Sequence, residues 1–170
     1  MPLKRRKAEK VPDNDRPQSG VTALIGMGGV VYSWGFAAQK NVHEVTINGG
    51  ECPRASFNYK KELKEWVEQN ELSSSDYSVT TRVEADSVEN TLHSVKVFLN
   101  GILKATNAQY YKGYLTGKGN FREEIATILP YKGNRSAPKP VHYDLIREYL
   151  VNHWDAVVVE GLEADDQLAI

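Results

Sequence analysis

The sequence predicts an α/β protein with a central, mainly parallel sheet flanked by helices. Short apolar segments typical of buried strands alternate along the chain with amphipathic segments of helical period. The 170 residues fit a single domain, and 41% hydrophobic with 25% charged residues indicates a chain that folds around a core. We expect a flexible basic tail over residues 1–20 and an α/β domain over residues 21–170.

The first strand and helix of the domain are marked by a change of pattern. Residues 21–25 form a nearly continuous apolar run closed by Gly26, which predicts a buried strand of parallel type. Gly26, Gly28 and Gly29 predict a turn, and residues 30–40 predict a helix. A glycine-rich turn in this position can hold phosphate, but its spacing matches neither the dinucleotide-binding pattern nor the P-loop.

Later elements follow from the same reasoning. Residues 83–103 carry apolar side chains at three-to-four spacing, which predicts a long amphipathic helix with Glu84 and Asp86 in its first turn, where the helix dipole favours acids. The other predicted elements are helices over 60–69, 122–129 and 142–154, a loop over 72–76, strands over 110–116 and 156–159, a basic connector over 131–140, and the start of a helix over 162–170.

Charge and cysteine content exclude several classes of protein. Lys and Arg number 21 against 22 Asp and Glu, so any nucleic-acid-binding surface must be a local cluster rather than a property of the whole chain. A single cysteine, Cys52, excludes an internal disulfide. No apolar run approaches the roughly 20 residues that span a bilayer, and no apolar stretch follows the basic start as in a secretory signal. We expect a cytoplasmic protein without a membrane partner.

The acidic segment after the last predicted strand has the clearest chemical character. Glu163, Asp165 and Asp166 fall within four residues, close behind an apolar strand. Sites in open parallel sheets lie at the carboxyl ends of strands, and clustered carboxylates suit Mg²⁺ or Mn²⁺. Acids at a helix N-terminus are also favoured by the helix dipole. Composition alone leaves two equal alternatives, a metal site and a helix N-terminus that carries acidic residues.

Several stretches, taken in order, resemble the 5′-nuclease superfamily. Residues 161–166, Gly-Leu-Glu-Ala-Asp-Asp, are similar to its acidic motif, and Phe121-Arg122 with the later Tyr-Lys-Gly-Asn-Arg of residues 131–135 resembles its F-R…Y-K-x-x-R segment. Lys139-Pro140 before a helix and residues 24–32 also resemble family segments. The superfamily includes flap endonucleases, bacterial polymerase 5′-nuclease domains and phage 5′-3′ exonucleases. The likeness is closest to the phage exonucleases and covers residues 21–170, weakly between 42 and 103.

The resemblance implies a PIN-like fold, of which we expect only the family's N-terminal half, and it implies a metal site. Glu163, Asp165 and Asp166 match metal-coordinating carboxylates of the family. The implied cofactor is Mg²⁺ or Mn²⁺, and the implied reaction is phosphodiester hydrolysis. The implied partner is DNA, at a 5′ end or a junction of single strand and duplex, in the host cytoplasm if a phage encodes the chain.

The basic residues of the same stretches match the family's substrate-handling groups. Lys132 and Arg135 match residues that steer and hold substrate phosphates, and Lys139 joins them as a DNA-binding candidate. Lys132 and Arg122 are the catalytic candidates, Arg122 because it matches an arginine that supports phosphate handling. These residue types suit the roles, because Arg offers a planar fork for phosphate and Lys a point charge.

Three glycines depart from the family pattern. The family's first strand normally ends in Asp, as in L-I-D-x-D, where this chain has Gly26 and Gly28, and Gly117 stands where many members carry an Asp after the second strand. Glycine has no side chain with which to bind a metal. Two hypotheses follow: a phage-type 5′-3′ exonuclease-like DNA-binding protein with ancestral Mg²⁺-dependent hydrolysis, or a catalytically silent, nuclease-derived module that binds nucleic acid or a protein partner.

Overall fold

The structure is a computed structural model that describes residues 20–119, 121–126, 128 and 138–169. The predicted tail, apart from Gly20, lies outside these residues. The described part is a mixed α/β fold with two three-stranded sheets. Its elements are β1 (Thr22–Gly26), α1 (Met27–Ala37), β2 (Gln39–Ile47), β3 (Ala55–Phe57), α2 (Lys60–Gln69), β4 (Tyr77–Ala85), α3 (Val88–Ala105), β5 (Tyr110–Thr116), α4 (Phe121–Ile125), α5 (Tyr143–Trp154), β6 (Val157–Val159) and α6 (Ala164–Leu168).

The first sheet is parallel and has the strand order β1-β5-β6. Gly26 pairs with Tyr114 at the end of β1, and Thr116 pairs with Val159 at the ends of β5 and β6. Long connections separate these strands in the chain, as parallel neighbours require: helices α1 to α3 and the second sheet lie between β1 and β5, and helices α4 and α5 lie between β5 and β6. The prediction of a parallel sheet flanked by helices is therefore confirmed.

The core lies between this sheet and helices α1, α3 and α5. Leu99, Leu115 and Ile146, one from each of three elements, are fully buried there together with Met27 of α1. A Cβ at Gly113 would collide with the Met27 side chain, so the glycine in β5 lets α1 pack closely on the sheet. No helix in the described ranges is both long and apolar enough to cross a membrane.

The second sheet is antiparallel, with the order β3-β2-β4, and the sequence analysis missed it. Tyr77, Val79, Val83 and Ala85 alternate with polar residues along β4, a strand signal that was present in the sequence although no residue of β4 is buried. Helix α2 packs against β3, where the rings of Phe57 and Trp66 lie 5.8 Å apart.

The predicted helix over residues 83–103 begins too early. Val83 continues the helical spacing of apolar residues, but it belongs to β4, and helix α3 begins at Val88. The Ser87 side chain accepts a hydrogen bond from the backbone N–H of Asn90 at 3.2 Å and so caps the helix. Glu84, expected in the first helical turn, instead forms a 3.2 Å ion pair with Lys40 across the sheet.

Helix α1 begins earlier than predicted. Gly28 and Gly29, expected to form a turn, lie in its first turn, and Gly26 is its extended N-cap residue. Burial of Met27, Val30 and other residues on the same side of the helix stabilises this turn despite the low helix propensity of glycine.

The packing of α1 can be tested by comparing a glycine in this helix with a glycine in α3. We expect Gly35→Ala to destabilise the protein by about 1–3 kcal/mol, because the new Cβ would lie 2.5 Å from Cγ of the rigid Pro140 ring. The matched change Gly101→Ala in α3 meets no atom within 4 Å and should stabilise by about 0.5–1 kcal/mol. Urea unfolding of both variants measures this, and shifts of the same sign would contradict the packing.

Candidate functional site

The carboxyl ends of the three parallel strands share one edge of the sheet. β1 ends at Gly26, β5 at Thr116 and β6 at Val159. A cavity of about 410 Å³ lies at this edge, where open α/β sheets bind their ligands. It is lined by Gly26, Gly28, Gly29, Tyr32, Thr116, Gly117, Tyr143, Arg147, Glu163, Ala164 and Asp165.

The acidic loop, residues 160–166, is held in place by its own backbone and by β5. Glu163 is the N-cap of α6 and forms a capping box with Asp166, whose carboxylate accepts a hydrogen bond from the Glu163 N–H at 3.2 Å. The next N–H, that of Ala164, donates to the Thr116 hydroxyl at 3.0 Å. These bonds bring the loop against the end of the neighbouring strand.

Arg122 joins helix α4 to the acidic loop. Its Nη1 and Nη2 donate to the two carboxylate oxygens of Asp166 at 2.6 and 2.7 Å, a bidentate pair, and Nη1 lies 3.7 Å from the Glu163 carboxylate. The N–H of Phe121 also donates to the carbonyl of Gly161 at 3.1 Å. The guanidinium predicted to handle phosphate therefore holds an acid of the predicted metal set.

The three predicted metal ligands have different surroundings. Glu163 and Asp165 line the cavity, whereas Asp166 is held by Arg122. Among the described residues, no group of three or more His, Cys, Asp or Glu side chains lies close enough together to hold a metal ion. The assignment of Mg²⁺ or Mn²⁺ to these acids stays a prediction.

Two glycines lie where the resembling family carries acids, and each lies beside a carboxylate. A Cβ on Gly26 would be 3.5 Å from Oδ1 of Asp165, and a Cβ on Gly117 would be 2.6 Å from the Glu160 carboxylate. Glu160 accepts a hydrogen bond from the Lys118 N–H at 2.7 Å. The sequence analysis did not assign Glu160 to the site, although its place directly after β6 was a usable signal.

Three aromatic side chains extend from the cavity: Tyr143 of α5, then Tyr32 and Phe36 of α1. We call them the aromatic row. The Tyr32 ring lies 5.1 Å from Tyr143 and 6.3 Å from Phe36, and 41% of Tyr32 is exposed. Lys139, a predicted DNA-binding residue, places its ammonium 4.4 Å from the Tyr143 ring centroid. Arg147, which the sequence analysis missed, lines the cavity and donates to the Thr116 carbonyl at 3.1 Å.

Sequence reasoning missed the row because its members come from two helices far apart in the chain. The spacing of Tyr32 and Phe36, one helical turn apart, was the only signal. Lys132 and Arg135, predicted to contact phosphate, lie outside the described residues.

The fold and the site together define a mixed α/β domain with acidic, basic and aromatic side chains around a cavity at the edge of a parallel sheet. Comparisons with protein-family models, with curated proteins and with solved structures found no match to the chain. The function must therefore be inferred from the residues of the site and from their geometry.

The Arg122–Asp166 pair should couple α4 to the acidic loop. A double-mutant cycle with Arg122→Gln and Asp166→Asn should give a coupling of about 1–3 kcal/mol in the free energy of unfolding, because the pair is part-buried and bidentate. The exposed pair of Lys64 and Glu68 is the control and should couple near zero. Equal couplings in the two pairs would contradict a structural role for Arg122.

Proposed function

We propose that the chain is a DNA-binding domain of the 5′-nuclease type, similar to phage 5′-3′ exonucleases and with their PIN-like arrangement. The observation that carries the proposal is that distant segments of the chain meet at one place. Gly26, Gly117 and the acidic loop, far apart in the sequence, meet at one sheet edge with Asp165 beside Gly26 and Glu160 beside Gly117. Convergence of these positions is what the resemblance requires, and no local pattern in the sequence produces it.

The surroundings of the cavity suit a single strand of DNA. Tyr32 and Phe36 are 41% and 43% exposed, and aromatic side chains are what single-strand-binding sites use to stack bases without regard to sequence. Lys139 and Arg147 supply positive charge near Tyr143 for the backbone phosphates. Because the net charge of the chain is only -1, such local groups must account for binding. The substrate class is a 5′ end or a junction between single strand and duplex.

The described residues do not fit a firmly held divalent cation. Glu163 and Asp165 line the cavity, Asp166 is bound by Arg122, and Gly26 has no carboxylate to add. A bound Mg²⁺ or Mn²⁺ would activate water and stabilise the leaving oxygen, but two acids leave a hard cation mostly hydrated and therefore weakly bound. We propose that the chain binds DNA and hydrolyses it far more slowly than a protein carrying the full set of acids.

A catalytically silent, nuclease-derived module is the second candidate. The observation that favours it is the bidentate hold of Arg122 on Asp166, which neutralises an acid of the predicted metal set with the protein's own cation. The two candidates differ in cleavage, because the silent module would bind DNA or a protein without any Mg²⁺-dependent hydrolysis.

The aromatic row gives the test of DNA binding. Tyr32→Ala should weaken binding to an oligonucleotide with a 5′ single-stranded overhang about 5- to 150-fold, the loss of about 1–3 kcal/mol expected for one stacked base. Tyr59→Ala, which removes an exposed tyrosine before α2, is the matched control and should leave affinity unchanged. Fluorescence anisotropy measures both. Equal affinity of Tyr32→Ala and the parent would contradict the proposed strand path.

Gly26→Asp gives the test of the metal site. The new carboxylate would extend from a Cβ 3.5 Å from Asp165 Oδ1, so we expect at least about tenfold tighter Mn²⁺ binding by calorimetry, lost again in Gly26→Asp/Asp165→Ala. Gly29→Asp adds the same charge in open space and should give a smaller gain.

Cleavage of labelled DNA is measured on the same proteins. The parent should cleave very slowly, and Gly26→Asp should not restore full activity, because Asp166 remains bound to Arg122. Rapid cleavage by the parent, abolished by EDTA and by Asp165→Ala, would contradict our account of the incomplete metal site.

A further inference from the structure

Strand β4 is an unpaired edge of the antiparallel sheet. It pairs along its whole length with β2, from Tyr77 opposite Ile47 to Ala85 opposite Gln39. In the order β3-β2-β4 it is the outer strand, so among the described residues its second row of backbone N–H and C=O groups faces no strand. Nine residues in extended conformation offer an edge of about 30 Å.

β4 lacks the features with which proteins usually protect such an edge. It is long, it contains neither Pro nor Gly, and no residue in it is buried. Its two charges are compensated within its own sheet, since Arg82 bonds Glu44 at 2.8 Å and Glu84 pairs with Lys40 at 3.2 Å. Hydrogen bonds from Lys40 and Arg82 hold the pKa of Glu84 below its usual value, so the pairs persist over the neutral pH range. These charges therefore do not repel an incoming strand.

The residues of β4 are complementary to a second β4 running antiparallel. A two-fold axis at Thr81 overlaps the two strands along all nine residues. It places Val79 opposite Val83 of the second copy and Tyr77 opposite Ala85, which are pairings of apolar side chains. Val79 and Val83 are 43% and 48% exposed and lie on one face of the strand. The remaining pairs, Ser78 with Glu84 and Thr80 with Arg82, oppose no like charges.

We propose that β4 is a self-association surface, through which two copies of the chain form a two-fold symmetric dimer with a continuous six-stranded sheet of order β3-β2-β4-β4-β2-β3. A second copy is the occupant that the observations favour, because the fully overlapped register places the half-exposed Val79 opposite Val83 and opposes no like charges. Such an interface uses the same residues on both copies and closes at two. The proposal does not depend on DNA binding, since the carboxyl-edge cavity lies on the other sheet.

Charge substitutions at the valine pair test both the surface and its register. Analytical ultracentrifugation of the parent across a range of concentrations should show a mass approaching twice 19.1 kDa. Val79→Lys/Val83→Lys and Val79→Glu/Val83→Glu should each associate at least about tenfold more weakly, because like charges then face each other across the axis. An equimolar mixture of the two variants should recover the dimer, since each Lys of one copy then faces a Glu of the other copy.

The mixture also shows that the variants are folded, because unfolded chains would not recover a defined dimer. The control is Val97→Lys, at a 56% exposed valine on α3, which should associate as the parent does. A parent that stays at 19.1 kDa at every concentration overturns the proposal. Variants that each dimerise as tightly as the parent, or a mixture that remains monomeric, also overturn it.

Discussion

The parallel pairing of β1, β5 and β6 is the constraint on which the candidate site depends. Parallel strands must be joined by long crossovers, so residues at their carboxyl ends are distant in sequence and adjacent in space. This pairing brings Gly26, Gly117 and the start of the acidic loop to one edge, and hydrogen bonds within the loop and to Thr116 complete the arrangement. On the core side of the sheet, Met27 occupies the space that Gly113 leaves open.

A single arginine, Arg122, binds the acidic loop and compensates part of its charge. Arg122 neutralises Asp166 and lies near Glu163, while the neighbouring Phe121 N–H joins α4 to the loop at the Gly161 carbonyl. Clustered carboxylates repel one another unless a cation compensates them, and here part of the compensation comes from the protein itself. The hold of Arg122 on Asp166 therefore helps to order the loop.

The two sheets divide the molecule into parts with different physical character. The parallel sheet packs on the core and carries the candidate site at its edge. In the antiparallel sheet, β4 has no buried residue, and its outer edge pairs with no strand among the described residues. A parallel sheet derives its stability from burial by helices, and an antiparallel hairpin sheet can remain open to solvent. The proposed binding of DNA and the proposed association of two copies therefore use separate surfaces.

The sequence by itself determined the elements whose patterns reflect burial. The apolar strands at β1, β5 and β6 and the helix α5 were predictable, because their apolar residues follow the pattern of the element. Helix α2 was predictable from its charged residues, although none of its residues is buried. It also determined which acids follow β6. Only the tertiary structure decided that Val83 extends a strand, that Gly28 and Gly29 lie in a helix, and that Tyr32 approaches Tyr143. It likewise decided that Arg122 holds Asp166, because contacts between distant segments depend on the path of the chain and leave no local pattern.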